Sequence, residues 1–545
     1  MLTLVAFLAL SLAQAPGQAP AVDWAELMRR FQADADALVK VGQPLELAKL
    51  KVEKLDPGES TRVVAKRDAD FFGAGWYQML WLVARASGVT VDPTADAFQI
   101  NFQRFTTPPQ PAWYLPSRKS IVIEESHYSK DALFDRVVLN ELALASFDQQ
   151  EGGLEALRTG MDTEALLGDR AWITGRSRTL ARRALGYPTR EALGARELRR
   201  AEFVLVELAG EAEVARQEAL PKEQRTRAKT GMELLHGFAS GMAEPTGLEA
   251  LDPKDAKLAR EDTLGELGLR FVLSVCGSDP VRSIEAAIGL CADRLRVWDY
   301  GDRDHEFAWR LVFARESDAV ELEELLRAHA FGTRTRRGCV LDWSFSTRPD
   351  REPALAQGLA ALALPPAPSE VLAARVAREQ EAQLALQPHV AGSLLVLPEQ
   401  DLSLELPPGA TFAFFQFDPI VYLGPPDAGF RDNLSFRQYL LPEDATAEKV
   451  LEGARQSFQS VPSAKLVRSQ IADTASGPGV WIEYTQSNSG VQVRQLELQL
   501  VQPGRKLAIT ATLLENHWTL SGKAIETMLA SATRLSKSAA PEPVK

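Results

Sequence analysis

The sequence predicts an α+β protein, with a mostly helical N-terminal domain that carries an edge β-hairpin and a C-terminal antiparallel α/β sandwich. Up to about residue 345, most apolar side chains recur at the three- and four-residue spacing of helices. After residue 393 they mainly alternate, as in strands with one buried face. An Ala- and Pro-rich stretch lies between these patterns and predicts domains at 22–345 and 393–538, joined by a linker with a helix at 346–392.

Composition excludes several partner classes. The 545 residues suffice for roughly two to four domains, and 45% hydrophobic with 25% charged residues is ordinary for a globular protein. The formal net charge of −12 repels nucleic acid and anionic lipid. No phosphate-binding glycine motif of the P-loop or dinucleotide type occurs, so nucleotide binding has no support in the sequence.

The N-terminus predicts export. Residues 1–13 are apolar, no charge precedes Asp23, and Ser11 and Ala13 supply the small residues of a cleavage site. We therefore expect a signal peptide at 1–13, a periplasmic or secreted protein, and no stable transmembrane span after its removal. An uncleaved anchor is the alternative, but a span needs ~20 apolar residues and this run is shorter.

The three cysteines, Cys276, Cys291 and Cys339, leave two alternatives. An exported protein can form one disulfide and keep a spare thiol. Three buried and inert thiols are favoured, because free cysteine is among the most buried residue types.

The stretch from Phe134 to Gln150 predicts a largely buried helix. Asn140 and Leu144 lie one turn apart on it, with Glu141 beside them. An H-E-x-x-H zinc helix carries its two imidazoles and its general base at these positions. Asn140 is a poor zinc ligand and Leu144 is none, so the helix is expected without the metal site.

This helix resembles the H-E-L-x-H-A-L-Q-D-Q signature of a gluzincin-like family of secreted bacterial zinc-metallopeptidase-like proteins. Residues 140–145 are in register, and residues 148–150 lie close to the D-Q end. The resemblance implies a β-hairpin at 112–123 before the helix. It also implies that Ala209, within the similar stretch 207–212, occupies the third ligand position. All three ligands would then be absent, which implies a degenerate peptidase with no catalytic residue, metal or cofactor.

Other elements of the N-terminal domain follow from local patterns. Asp23 is expected to cap a helix, and 68–83 to form a buried one. Residues 261–270 resemble a helix start that recurs in the same family. Alternation on both sides of Tyr300 predicts a hairpin. Further helices are predicted around 171–185, 199–219 and 225–239, and from Asp318, with Glu321 completing a capping box, to about His329.

The C-terminal segment predicts an antiparallel sheet covered by helices. It resembles the PsbP-like and DcrB-like exported domains through the runs at 430–435, 477–480 and 510–512, and that resemblance implies a binding module. Strands are predicted at 402–406, 412–417, 420–423, 480–484, 491–501 and 506–514, with helices around 450–458 and from Gly522 to Leu535.

These features together predict an exported, non-catalytic pseudopeptidase-like protein that binds a protein or peptide in the cell envelope. The edge strand of a degenerate peptidase cleft is expected to hold an extended chain through backbone hydrogen bonds. The alternative is an active hydrolase with a rebuilt metal site, for example from Asp148, Glu207 or Glu211 with a distant histidine. We expect a structural role for Glu141, because no metal-bound water would be present for it to deprotonate.

Overall fold

The computed structural model forms two compact units; among the described residues the first ends at Gln380 and the second begins at Glu381, within one helix. The predicted α+β class is confirmed. The predicted signal peptide lies outside the described residues. The structure describes residues 23–55, 59, 63, 76–86, 112–124, 132–150, 162–185, 206–221, 231–236, 238–275, 280–301, 304–327, 332–385, 388–415, 418–427, 430–442, 444–459, 464–488, 491–502 and 504–535.

The first helix, α1 (Trp24–Lys40), begins where the sequence predicts. Asp23 caps it by accepting hydrogen bonds of 3.1 Å from the backbone N–H groups of Ala25 and Glu26. Leu27 and Phe31 are fully buried on its inner face. They belong to an apolar cluster that also contains residues of the central helix described below.

A three-stranded sheet follows, made of β1 (Lys51–Leu55), β2 (Ala112–Leu115) and β3 (Ser120–Glu124) in the order β1-β3-β2. β2 and β3 form the hairpin that the family resemblance implies, with Ala112 opposite Ile123. β1 pairs with β3 in parallel.

The first unit also contains the helices α2 (Trp76–Ala86), α3 (Ala132–Gln150), α4 (Thr163–Ala184) and α5 (Val206–Glu218). Of the predicted buried helix at 68–83, the part before residue 76 lies outside the described residues. α4 packs against both α3 and α5. At the second crossing the backbones touch, because a Cβ atom added to Gly175 would lie 2.2 Å from the carbonyl carbon of Gly210.

A five-stranded antiparallel sheet completes the first unit, in the order β4-β5-β6-β8-β7. Its strands and the surrounding helices are α6 (Gly231–His236), β4 (Lys257–Asp262), α7 (Gly265–Val275), α8 (Pro280–Ala287), β5 (Leu290–Gly301), β6 (Asp304–Phe313), α9 (Glu316–Arg327), β7 (Thr333–Arg337), β8 (Val340–Ser346), α10 (Glu352–Ala361) and α11 (Glu370–Ala385). β5 and β6 form the predicted hairpin.

Two buried carboxylates of this sheet hold helix starts. Asp262 accepts the backbone N–H of Thr163 at 2.8 Å, at the start of α4. Asp293 accepts the backbone N–H of Gly265 at 2.9 Å, at the start of α7. Burial raises the pKa of Asp293 to about 6 against the opposing effect of these bonds. The helix start predicted within 261–270 is therefore Gly265.

The predicted capping box at Asp318 is wrong. α9 begins at Glu316, so Asp318 lies inside the helix. Its side chain accepts hydrogen bonds from the guanidinium of Arg315, at 2.5 Å for the shortest contact. An arginine three residues earlier offers a carboxylate a stronger, charge-assisted partner than a backbone N–H.

The second unit contains two antiparallel sheets, in the orders β12-β13-β14-β18-β17-β16-β15 and β19-β11-β10-β9. The closing helix begins at Glu515, seven residues earlier than predicted. The elements are β9 (His389–Ala391), β10 (Leu394–Leu397), β11 (Leu402–Glu405), β12 (Thr411–Phe415), β13 (Asp418–Tyr422), β14 (Asn433–Leu440), α12 (Ala447–Gln459), β15 (Ala464–Thr474), β16 (Gly477–Asn488), β17 (Val491–Gln502), β18 (Arg505–Leu514), α13 (Glu515–Ala530) and β19 (Thr533–Arg534).

Candidate functional site

Glu141 is buried at the middle of α3, with 5% of the residue exposed. Its Oε2 accepts a hydrogen bond of 2.6 Å from the backbone N–H of Tyr114 in β2. Asn140 Nδ2 lies 3.4 Å from Oε1 as a second, weaker donor. The carboxylate therefore joins the helix to the strand and satisfies a buried backbone donor.

This bond changes the expectation for the edge strand. β2 is an edge of its sheet, and all four of its residues are buried. Because Glu141 already accepts the N–H of Tyr114, that donor is not available to an extended peptide. The expectation that β2 holds an extended partner chain through backbone hydrogen bonds is therefore not supported at Tyr114.

Asn140 and Leu144, at the two positions where a zinc helix carries its histidines, differ in their surroundings. Leu144 packs against the apolar cluster that includes Leu139, Leu142 and Ala181. Asn140 is partly buried, and no described donor reaches its Oδ1. A leucine held in an apolar cluster fills core volume.

The D-Q end of the motif is also used in packing. Asp148 is buried, and its Oδ2 accepts hydrogen bonds from the Tyr114 hydroxyl and, at 2.5 Å, from Lys119 Nζ. Gln149 accepts the backbone N–H of Glu46 at 2.9 Å and donates to the carbonyl of the same residue at 3.1 Å. These polar groups attach α3 to the hairpin and to the segment after α1.

Ala209 lies on α5, one residue before Gly210, whose backbone touches α4. Glu211, one of the residues considered for a rebuilt metal site, is buried and forms an ion pair with Arg182 at 2.6 Å and another with Arg178 at 3.2 Å. Among the described residues, no group of three or more His, Cys, Asp or Glu side chains is arranged to hold a metal ion.

The cysteines show no nucleophilic character where they are described. Cys291 and Cys339 are free thiols, and Cys276 lies outside the described residues. Burial, reinforced by nearby carboxylates, raises the pKa of both described thiols. A raised pKa keeps a thiol protonated and unreactive.

A buried polar group of the first unit surrounds His236, at the end of α6. Its Nε2 lies 3.0 Å from Glu266, which also accepts a 2.6 Å hydrogen bond from Arg270. Glu379 of α11 lies 3.8 Å from Nδ1. Burial alone would lower the pKa of His236, but Glu266 outweighs it and raises the pKa to about 9. The imidazolium is therefore part of a buried ion network that ties three helices together.

In the second unit, the two faces of the seven-stranded sheet differ. Leu498 of β17, Ile509 of β18 and Phe436 of β14 share one apolar cluster with α13. Since side chains alternate across a strand, the intervening residues face the opposite side. On that opposite side Val480 and Ile482 of β16 pack with α12.

Beyond α12, the same side of the sheet is polar. The register aligns Glu497 with Thr510 and Thr510 with Ser435, and in the next row it aligns Gln499 with Ala508 and Ala508 with Arg437. We call this surface the polar half-face. Its members are Ser435, Arg437, Tyr439, Gln495, Glu497, Gln499, Lys506, Ala508, Thr510 and Thr512.

Hydrogen bonds connect the polar half-face into a chain. Lys506 Nζ donates to Gln499 Oε1 at 2.9 Å, and the Gln499 amide donates to Glu497. The hydroxyl of Thr510 donates to the other oxygen of Glu497 at 3.3 Å. Lys506 Nζ also lies 5.1 Å from the centre of the Tyr439 ring. Burial lowers the pKa of Lys506, against the opposite effect of Glu497.

Part of this surface is accessible. Tyr439 is 43% exposed, Arg437 is exposed, and Lys506, Thr510 and Glu497 are partly exposed. The surface thus combines an aromatic ring, two cations and several hydrogen-bonding groups on one sheet.

Comparison with known proteins gives a distant structural similarity to PsbP- and LpqN-like domains over part of the chain. No protein-family model and no curated protein matches. LpqN, involved in cell envelope biogenesis of Mycobacterium tuberculosis, is 16% identical over 24% of this chain and 82% of its own, with a TM-score of 0.21. CyanoP, the PsbP of the cyanobacterium Synechocystis, is 16% identical over 27% of this chain and 91% of its own, with a TM-score of 0.20.

A third similar structure is TplEi, an immunity protein of the T6SS from Pseudomonas aeruginosa. It is 13% identical over 44% of this chain and 75% of its own, with a TM-score of 0.18. No helix among the described residues has the length and apolar character needed to span a membrane.

Sequence reasoning did not find the polar half-face. The sequence predicts β17 and β18, where Leu496, Leu498 and Leu500 alternate with polar residues, but it does not predict β14, which carries Ser435, Arg437 and Tyr439. That alternation indicates one polar side of β17, but it does not show which neighbouring strands lie beside it.

Proposed function

We propose that this chain is an exported, non-catalytic member of the zinc-peptidase-like proteins, and that its second unit binds a segment of a protein partner in the cell envelope. The observation that carries the proposal is the polar half-face, a hydrogen-bonding surface on a sheet whose other side is core. Its partly exposed hydroxyl, amide and aromatic groups, such as Thr510, Gln495 and Tyr439, fit the polar backbone and side chains of a peptide.

The arrangement around Glu141 supports the non-catalytic part. A general base needs a free oxygen within reach of the proton that it abstracts. Here Oε2 accepts from the backbone of Tyr114, and the next turn of the helix offers the apolar Leu144 in place of a ligand.

Activity and metal content test the non-catalytic part. We expect the purified chain to hold far less than one zinc per molecule after dialysis against zinc, and not to cleave a mixture of unfolded protein substrates with zinc present. The Glu141→Gln variant is the matched control. Cleavage by the native chain that this variant loses would overturn the proposal in favour of the active hydrolase.

Peptide selection tests the binding part. A random peptide library displayed on phage, selected on the full chain, should yield peptides that the Ser435→Trp variant no longer binds, because an indole on β14, beside Thr510 and two residues from Arg437, obstructs the polar half-face. Lys523→Ala, at an exposed position of α13 on the other side of the sheet, should bind them normally. Binders that ignore Ser435→Trp, or the absence of binders, would contradict the proposed surface.

A further inference from the structure

We propose that Arg437 and Lys506, both neighbours of Tyr439, form a subsite that holds a carboxylate side chain of the partner segment. The proposal rests on the proposed function and names the chemistry of its ligand. The partner would accordingly carry an Asp or Glu at the position that lies over Tyr439.

The first argument is that neither cation is paired with a carboxylate of the described residues. No carboxylate oxygen of the described residues lies within 4.0 Å of Lys506 Nζ, whose hydrogen bond goes to the neutral amide of Gln499. In the described part of the chain, Arg437 likewise has no ion pair or side-chain hydrogen bond, although most arginines of this unit have one. A partly buried ammonium that faces a neutral acceptor gains more from an anionic ligand than a solvated surface lysine does.

The second argument is spacing. Tyr439 is the direct cross-strand partner of Lys506, and Arg437 precedes Tyr439 by two residues on the same face. Arg437 and Lys506 are therefore diagonal neighbours, with Cα atoms typically ~7–8 Å apart. Side chains of their length can converge on one anionic group from that distance. The ring of Tyr439, 43% exposed and centred 5.1 Å from Lys506 Nζ, offers an apolar contact for the methylene groups of the ligand.

The third argument selects a carboxylate over a phosphate. Glu497 lies on the same face, and its oxygens are held by Gln499 and Thr510. Its negative charge opposes any second anion nearby. A phosphate group carries close to two negative charges at neutral pH and a carboxylate carries one, so the repulsion is smaller for the carboxylate.

The experiment uses the full chain and the peptides selected on it, synthesised with each Asp or Glu changed in turn to Asn or Gln. We expect one such change to weaken binding at least tenfold. Lys506→Gln should weaken binding of the acidic peptide to a similar degree and leave binding of the neutral peptide almost unchanged. Lys506→Arg should restore most of the affinity, and Lys523→Gln should have no effect.

The outcomes separate the two proposals. Peptides that require the polar half-face, yet bind equally well when neutral, would overturn the carboxylate subsite and leave the proposed function standing. Peptides that bind the Ser435→Trp variant as well as the native chain would overturn both proposals. Competition by inorganic phosphate at concentrations where acetate has no effect would overturn the choice of a carboxylate. Equal circular dichroism spectra of the variants confirm that each change acts on a folded sheet.

Discussion

The loss of stability when Glu141 is replaced tests whether its carboxylate has a structural role. Glu141→Ala removes the acceptor of the buried Tyr114 N–H, and a buried group that loses its partner costs ~1–3 kcal/mol. The loss of a buried methylene group from the side chain adds ~1 kcal/mol. We therefore expect a destabilisation of about 3 kcal/mol. Glu141→Gln keeps an acceptor oxygen and loses only the charge, so about 1 kcal/mol is expected.

Hydrogen exchange measures this effect where it occurs. A single unfolding free energy is not well defined for a chain of two units, whereas amide protection reports local opening. A loss of 3 kcal/mol corresponds to ~100-fold faster exchange across residues 112–115 in Glu141→Ala, against ~5-fold in Glu141→Gln. Unchanged protection in the alanine variant, or equal effects of both variants, would refute the structural role.

Three further predictions follow from the packing. Glu266 raises the pKa of His236 to about 9, so the stability that the charged imidazole contributes is complete below pH ~6.5 and is lost as the pH rises to about 9. The difference between the melting temperatures at pH 6 and pH 9 should therefore be smaller in His236→Gln than in the native chain. Gly210→Ala, whose Cβ would meet the Ala171 carbonyl oxygen at 1.7 Å, should destabilise the crossing of α4 and α5 by more than ~2 kcal/mol, which corresponds to at least ~30-fold faster amide exchange in these helices. Gly453→Ala on α12, where an added Cβ meets no atom within 4 Å, should leave exchange in α12 unchanged or slower, and equal effects of the two variants would refute the close helix crossing. Limited proteolysis should cut first in the Pro-rich segment 364–369, since Arg310 holds the chain up to Ala363; first cuts inside β16–β18 would contradict this.

What the sequence could predict was set by local patterns. Asp23 and the alternation around Tyr300 produce the expected helix and hairpin, because a cap and a two-residue period act over a few neighbouring residues. The start of the last helix was misplaced at Gly522. The residues from Glu515 onward carry few apolar side chains at helical spacing, and tertiary contact with the sheet decides their conformation.

The candidate sites depended on information that no local pattern contains. The signature around Asn140 predicted the helix, but the fate of Glu141 depends on Tyr114, 27 residues earlier in the chain. The polar half-face joins Arg437 to Lys506 through a pairing between strands that are distant in sequence. Such pairings follow from strand order, which alternation alone leaves open.

The parallel pairing of β1 with β3 has a consequence for how the chain folds. Lys51 pairs with Ser120, about 70 residues later, whereas β2 and β3 meet across a tight turn. Closing so long a loop lowers the conformational entropy of the chain before the contacts between the strands can stabilise it. The hairpin and α3 should therefore assemble first and offer a template edge, to which β1 is added late. During synthesis, β1 leaves the ribosome before β2 and β3, yet it would join the sheet after them.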